Sequence, residues 1–184
     1  MLVTHNREKL INAIIYFIEN TSLLGKTKLF KLLYFLDFEH FKETGRSVTG
    51  LEYQAWKMGP VPVALQEEIG NPEKDLSEKI EIEVVEGNKD YKPTNFKAKT
   101  TFDPSHFTKR ELRLIENIAS RYDLCNAKEM VFWTHIEQEP WHRVWEIENR
   151  KHEKIPYEYI LDEQDESFIK NLALERQEFI NNYQ

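Results

Sequence analysis

The stretch TKLFKLLYFLDFEHFKETG, residues 27–45, decides the fold of this chain. Its apolar residues recur at helical spacing, Thr27 is suited to cap the start and Gly45 follows the end, so it predicts a central helix over residues 28–43. A helical wheel at about 100° per residue gathers the charged side chains into one stripe. The stripe contains Lys28, Lys31, Glu39, Lys42 and Glu43. The remaining arc is apolar, which indicates a helix packed on most of its sides.

Two polar residues of this helix, Asp37 and His40, fall inside the apolar arc. A buried carboxylate needs a partner, because leaving it unpaired costs several kcal/mol. The imidazole lies three residues further on, within reach of the carboxylate. We therefore expect the two side chains to hydrogen-bond to each other or to a shared neighbour. Two alternatives stay open: a polar spot on a partner-binding surface, and an acid–base pair used in catalysis.

The rest of the chain predicts a mainly α fold, α+β at the margin. Residues 6–19 carry apolar side chains at helical spacing behind Asn6, a good N-cap residue. The segment Thr108-Lys109-Arg110-Glu111 has the form of a capping box, which predicts another helix start. Alternating Ile and Glu from residue 80, with a Gly-Asn turn behind them, predict one small inserted β-hairpin near residues 80–99. The architecture expected is a compact helical domain.

Composition narrows the class of protein. The 184 residues are 40% hydrophobic and 31% charged, as in a globular domain, and no apolar run is long enough to cross a bilayer. A net charge of −7 argues against nucleic acid as a partner, since broad binding to phosphates needs a basic surface. One cysteine, Cys125, excludes an internal disulfide and suits a reducing compartment. These features predict a cytoplasmic protein with no membrane partner.

No motif of the chain predicts catalysis. The six histidines lack the spacing of a metal site, and there is no second cysteine to complete one. The segment Leu24-Gly25-Lys26-Thr27 matches just the tail of a phosphate-binding loop and follows no predicted strand. We therefore expect no metal, no cofactor and no catalytic residue.

The segment KMGPVP, residues 57–62, predicts a stiff apolar corner. Pro60 and Pro62 fix their own φ and steer the residues before them into extended conformations. Met58 stands beside this corner, and methionine is common on adaptable binding surfaces. The corner is either a preformed docking surface for another molecule or a purely architectural turn.

Two blocks of the sequence, residues 27–62 and 107–146, together carry a family signature. Their shared features are Lys31-Leu32-Leu33-Tyr34, His40, Gly45, Gly59-Pro60-Val61-Pro62, His135 and Pro140-Trp141. In content and order they resemble the Panacea antitoxin domain, also called the Soc-type or phage-associated antitoxin family, over most of residues 10–150. By this resemblance, residues 1–150 form the antitoxin domain. Residues 151–184 form a C-terminal extension, whose amphipathic helix from residue 166 we expect to pack on the same domain.

The resemblance implies a protein-binding module rather than an enzyme. Panacea domains are the antitoxins of type II toxin–antitoxin pairs, and each neutralises a cognate toxin protein by direct contact. The residues expected to bind the partner are Asp37, His40, Lys57, Met58, Gly59, Pro60, Val61 and Pro62. The resemblance leaves open whether the chain forms a homo-oligomer inside the toxin–antitoxin complex. The alternatives are an adaptor or scaffold that delivers a partner to a protease, and a small hydrolase or transferase that uses Asp37 and His40.

Overall fold

A nearly fully buried helix of 19 residues, α2 (Lys26–Thr44), runs through the centre of the computed structural model. Its N-cap is Gly25 and not Thr27, so the helix begins earlier than predicted. Gly45 ends the helix as expected: its φ of 67° is left-handed, and its N–H donates to the Phe41 carbonyl oxygen over 2.8 Å. A glycine adopts this conformation without strain, which explains its place at the helix end.

The structure describes residues 6–85, 93–136, 139–165 and 167–169. Within them, the chain also forms the α-helices α1 (Arg7–Asn20), α3 (Val63–Gly70), α4 (Lys74–Lys79), α5 (Lys109–Tyr122), α6 (Ala127–Thr134) and α7 (Pro140–His142). Two short 3₁₀ helices, Pro104–His106 and Tyr157–Ile160, and a π-helical turn, Arg143–Ile147, follow α4 and α7 along the chain. The strands are β1 (Gln54–Trp56), β2 (Gly59–Val61), β3 (Ile80–Val84) and β4 (Thr94–Ala98). The fold is thus mainly α, as predicted. The caps expected at Asn6 and at the Thr108 capping box are both present.

The core forms around α2, which packs against α1, α5 and α6. Aromatic rings fill much of this space: Phe35 of α2 stacks on Tyr122 of α5 with ring centroids 4.9 Å apart. Lys28 and Lys31, which the helical wheel placed on a polar stripe, are buried instead. That part of the prediction is wrong because the wheel records the side of a helix on which a residue lies, and not how many neighbours cover that side.

Two small antiparallel hairpins accompany the helices in the described residues. The β3–β4 hairpin pairs Ile80 with Ala98 at one end, at the place where the sequence predicted a hairpin. A second hairpin, β1–β2, was not predicted, and it is formed by the proline corner: Ala55 pairs with Pro60. Proline lacks an N–H and is tolerated in strands just where the ladder does not need that donor. The corner is therefore extended, as expected, but is paired to the strand before it.

The chain returns to β1 after residue 150. The Ala55 N–H donates to the Glu153 carbonyl oxygen and the His152 N–H donates to the Ala55 carbonyl oxygen, over 2.9 and 2.8 Å. Tyr157 then enters the core and stacks on Phe38. Residues 170–184, which hold most of the predicted C-terminal amphipathic helix, lie outside the described residues. Among the described residues, no helix combines the length and the apolarity needed to span a bilayer.

Truncating a core side chain of α2 should lower the stability of the protein. Leu33 is fully buried, and removing such a leucine lowers the free energy of unfolding by about 2–5 kcal/mol. We expect Leu33→Ala to show this loss in urea unfolding, and Val84→Ala, at an exposed position, to change stability by less than about 0.5 kcal/mol. Equal effects of the two substitutions would contradict the central position of α2.

Candidate partner-binding site

The turn between β1 and β2 separates the predicted binding residues into two groups. Lys57 and Met58 form the tip and are exposed, with 56% of Met58 accessible to solvent. The four residues that follow, Gly59, Pro60, Val61 and Pro62, are buried. The tip can therefore touch another protein directly, whereas the glycine and the prolines form the base on which the tip rests.

Lys31 holds this base from below. Its ammonium nitrogen, Nζ, donates to the Pro60 carbonyl oxygen over 2.7 Å, and the side chain is 1% exposed. Burial disfavours the charged amine and lowers the pKa of Lys31 to about 7. A lysine donates hydrogen bonds from this nitrogen, so it can satisfy a carbonyl inside the core. Lys31 thus ties the turn to the central helix.

Gly59 lies in close contact with both α2 and the end of α6. Its φ is 93°, and a Cβ at this position would lie 2.7 Å from Thr134 Oγ1 and 2.9 Å from Lys31 Nζ. Such distances are too short for a carbon atom, and this φ favours glycine. The turn is therefore packed too tightly for any side chain at residue 59.

An indole holds the other side of the turn. Trp141 is buried, and its Nε1–H donates to the Trp56 carbonyl oxygen over 2.8 Å. His135 stacks on the same indole with ring centroids 3.6 Å apart and 4° between the planes. Burial, followed by the nearby charge of Lys31, lowers the pKa of His135 to about 4. The imidazole is consequently neutral at pH 7, and its Nε2 has no hydrogen-bond partner among the described residues.

Asp37 is fully buried and organises the loop that follows α2. Its carboxylate accepts hydrogen bonds from the Val48 and Thr49 N–H groups, over 2.9 and 2.7 Å, and from the Thr49 and Tyr53 hydroxyls, over 2.5 and 2.8 Å. Burial raises the pKa of Asp37 to about 6, and these four hydrogen bonds hold it below the value that burial alone would give. All the donors come from the chain itself.

His40 contacts a different part of the same loop. Its Nδ1 lies 2.7 Å from the Arg46 carbonyl oxygen and donates to it, and burial lowers the pKa of the imidazole. The prediction that Asp37 and His40 hydrogen-bond to each other or to a shared neighbour is therefore wrong. The loop folds back over α2 and offers N–H groups to the carboxylate but a carbonyl to the imidazole, so each side chain is satisfied separately.

The exposed apolar side chains of α6 were not predicted from the sequence. Met130 and Thr134 of this helix are buried, whereas Phe132 and Trp133 face solvent, as does Ile136 just beyond it. The signal was the apolar run from residue 130 to residue 133, which is too long for a helix with one buried stripe. The opposite, buried side of α6 contacts the turn, because Thr134 lies against Gly59.

One group of carboxylates in the described residues has the spacing of a cation site: Glu68, Glu73 and Asp75. The guanidinium of Arg7 already fills it, with Nη1 donating to Glu68 over 2.8 Å and Nε donating to Asp75 over 2.7 Å. These contacts link α1 to the α3–α4 region. The cluster is satisfied by the protein's own cation, and no metal is assigned to it.

A comparison with family models decides the class of the protein. The model described as Antitoxin SocA-like, Panacea domain, matches residues 29–142. The chain belongs to this antitoxin-like family. The matched residues of the Panacea domain run from α2 to α7 and include Lys31, Gly59 and Trp141. No curated protein and no solved structure gives a match.

The hydrogen bonds around Asp37 predict that substituting this residue lowers the stability of the protein. In Asp37→Asn one oxygen becomes an NH₂ group, which cannot accept from the hydroxyls and N–H groups that face it. We expect the free energy of unfolding at pH 7 to fall by about 1–3 kcal/mol, the range for leaving buried polar groups unsatisfied. Urea unfolding measures this loss, with exposed Glu67→Gln as the control. Equal stability of the two variants would contradict the role of the carboxylate.

The neutral state of His135 predicts a pH dependence. The folded-state pKa of about 4 lies below the usual value of 6.5, so the unfolded state binds more protons between these values and stability falls as the pH drops through this window. Wild type should therefore lose stability relative to His135→Phe when the pH is lowered from 6.5 to 4. Unfolding curves of both proteins at several pH values test this, and a constant difference across the window would contradict it.

Proposed function

We propose that this Panacea-domain protein is the antitoxin of a type II toxin–antitoxin pair and neutralises its cognate toxin, in the cytoplasm, by direct protein–protein contact. The observation that carries the proposal is the exposed Lys57–Met58 tip on a turn braced from two sides. Membership of an antitoxin-like family supports the toxin as partner. In this function the chain needs no cofactor and no catalytic group.

The bracing of the turn explains how a small tip can contribute to affinity. Ordering one free residue of backbone costs roughly 1–2 kcal/mol, and a surface that is already ordered avoids that loss on binding. Lys31, Gly59 and Trp141 fix the turn before any partner arrives. Met58 is unbranched and adapts to irregular surfaces, so the tip combines a rigid backbone with an adaptable side chain.

The other expected binding residues then act indirectly. Asp37 and His40 shape the loop that leads into β1, and the Gly59–Pro62 segment carries the tip. We propose direct contact with the toxin for Lys57 and Met58, and a positioning role for the six buried residues, which are Asp37, His40, Gly59, Pro60, Val61 and Pro62.

Met58→Glu tests the proposal with the protein encoded by the adjacent open reading frame as the candidate toxin. Wild type should restore growth of cells that express this protein, and the two purified proteins should form a complex without any protease. A charge at the tip should weaken the complex by about tenfold or more, since each decade is about 1.4 kcal/mol, and leave the melting temperature unchanged. Val84→Glu, at another exposed apolar position, should bind like wild type.

Two outcomes would overturn the proposal. The first is that wild type neither rescues growth nor binds the candidate toxin. The second is that growth is restored while the purified proteins do not bind, since neutralisation would then act through a third component.

A further inference from the structure

The π-helical turn Arg143–Ile147 follows α7 directly. The Glu148 N–H donates over 2.9 Å to the carbonyl oxygen of Arg143, five residues earlier, whereas the bonds of an α-helix reach back four. Such wide turns are rare, and they frequently occur at functional sites. This one carries Trp145, which is partly exposed. An indole ring therefore stands at the surface where the backbone departs from a regular helix.

Three aromatic rings meet beside this turn. The ring of His152 lies nearly perpendicular to two indoles, with centroid distances of 5.5 Å to Trp56 and 5.8 Å to Trp145. Its place is fixed by backbone, because the His152 N–H donates to the carbonyl oxygen of Ala55 in β1 over 2.8 Å. We name these three residues, Trp56, Trp145 and His152, the aromatic site. Its rings are contiguous, and each is at least partly open to solvent.

The aromatic site adjoins the exposed tip of the β1–β2 turn. Trp56 directly precedes Lys57 in the sequence, and both Lys57 and Met58 are exposed. Successive side chains of a strand point to opposite faces. Because Ala55 is buried, Trp56 lies on the outward face of the hairpin. A protein that contacts the tip is therefore within reach of the three rings.

The chain's own Lys151 shows which chemistry the Trp145 ring accepts. Its ammonium nitrogen lies over the indole, 5.2 Å from the ring centroid. The face of an indole is electrostatically negative and attracts a cation that lies within about 6 Å of its centroid. Lys151 is exposed, and such a contact is weak where water reaches both partners. A better placed cation can therefore take over the ring.

The other basic side chains of this segment are held by carboxylates. Residues 143–154 are all described, and the ion pairs of their arginines and of Lys154 are Arg143–Glu148, Arg150–Glu148, Arg150–Glu153 and Lys154–Glu52. Lys151 has no carboxylate partner among the described residues. Glu146, next to Trp145 in the sequence, is likewise exposed and in no ion pair with them. The segment thus offers an incoming cation an indole face and a free carboxylate.

We propose that the aromatic site binds the guanidinium group of an arginine of the toxin, which replaces Lys151 over the Trp145 ring. This inference rests on the proposed antitoxin function. Arginine forms cation–π contacts more often than lysine, and its planar guanidinium stacks on aromatic rings. Its N–H donors also suit a carboxylate such as that of Glu146. Tryptophan and arginine are both enriched among the residues that dominate binding energy at interfaces.

Substitutions of Trp145 and Lys151 test the site in calorimetric titrations with the purified product of the adjacent open reading frame. Trp145→Leu removes the aromatic face and should lower the affinity by about fivefold or more, whereas Trp145→Phe keeps a ring and should lose less. Lys151→Gln removes the competing cation and should raise the affinity by about two- to threefold. Lys97→Gln, the same change at an exposed position of β4, should bind like wild type. Circular dichroism melts verify that each variant folds.

A small cation tests the site without the toxin. Nuclear magnetic resonance follows the indole N–H signals while the free chain is titrated with N-methylguanidinium chloride, and N-methylurea serves as the neutral control. The signals of Trp56 and Trp145 should shift with the cation, and more so in Lys151→Gln. The exposed Trp133 of α6 lies outside the site and should not respond. Equal shifts with N-methylurea would overturn the cationic character of the ligand.

The outcomes separate this inference from the proposed function. If wild type does not bind the candidate toxin, the proposed function fails, and the assignment of a toxin arginine fails with it. If wild type and Trp145→Leu bind equally well, the antitoxin function stands and the aromatic site is not part of the interface. A loss of affinity in Lys151→Gln would mean that Lys151 itself contacts the toxin, which contradicts its replacement. Should Trp145→Leu not fold, an affinity of Lys151→Gln no higher than that of Lys97→Gln contradicts the proposal by itself.

Discussion

The rest of the structure depends on hydrogen bonds from two buried lysines of α2. Moving an amine out of water costs free energy unless the amine finds a hydrogen-bond acceptor inside the protein. Lys31 holds the Pro60 carbonyl, and Lys28 holds the carbonyls of Ser22 and Asp123. These acceptors belong to segments far apart in the sequence. Two side chains one helical turn apart thus set the relative positions of three loops, and with them the exposed surface of the protein.

Asp37 is a buried residue of α2 that also holds a loop, with a carboxylate instead of an amine. Its carboxylate accepts hydrogen bonds from two N–H groups and two hydroxyls of residues 48–53, and these four donors leave no free acceptor site for an outside molecule. One helix therefore carries a buried carboxylate and two buried amines, each directed at a different loop. The polar residues of α2 organise backbone, while the apolar residues fill the core.

Much of the architecture could be predicted because it follows from local chemistry. Gly45, the capping box at Thr108 and the alternation after residue 80 each predict one local structure, and each is present. Hydrogen-bond partners could not be predicted in the same way, because they depend on which segments fold over the helix. Asp37 and His40 illustrate this limit: their burial followed from the helical wheel, but their partners come from a loop.

The candidate site shows the same division between local and distant information. The stiffness of residues 59–62 was visible from the prolines. That Met58 would be the exposed member depended on the contacts that Lys31 and Thr134 make with the turn. A wheel treats a lysine as a surface residue, and so it could not identify the amines that brace the loops.

The pairing of β1 on both of its edges has a practical consequence for work with fragments. The family match ends at residue 142, yet Ala55 of β1 exchanges hydrogen bonds with residues 152 and 153, and Tyr157 fills part of the core. A shorter chain cut at the family boundary would expose an unpaired strand edge and a hole beside Phe38. Free strand edges pair with other chains and cause aggregation. Fragments made for expression, fusion or tagging should therefore include the sequence through at least residue 160.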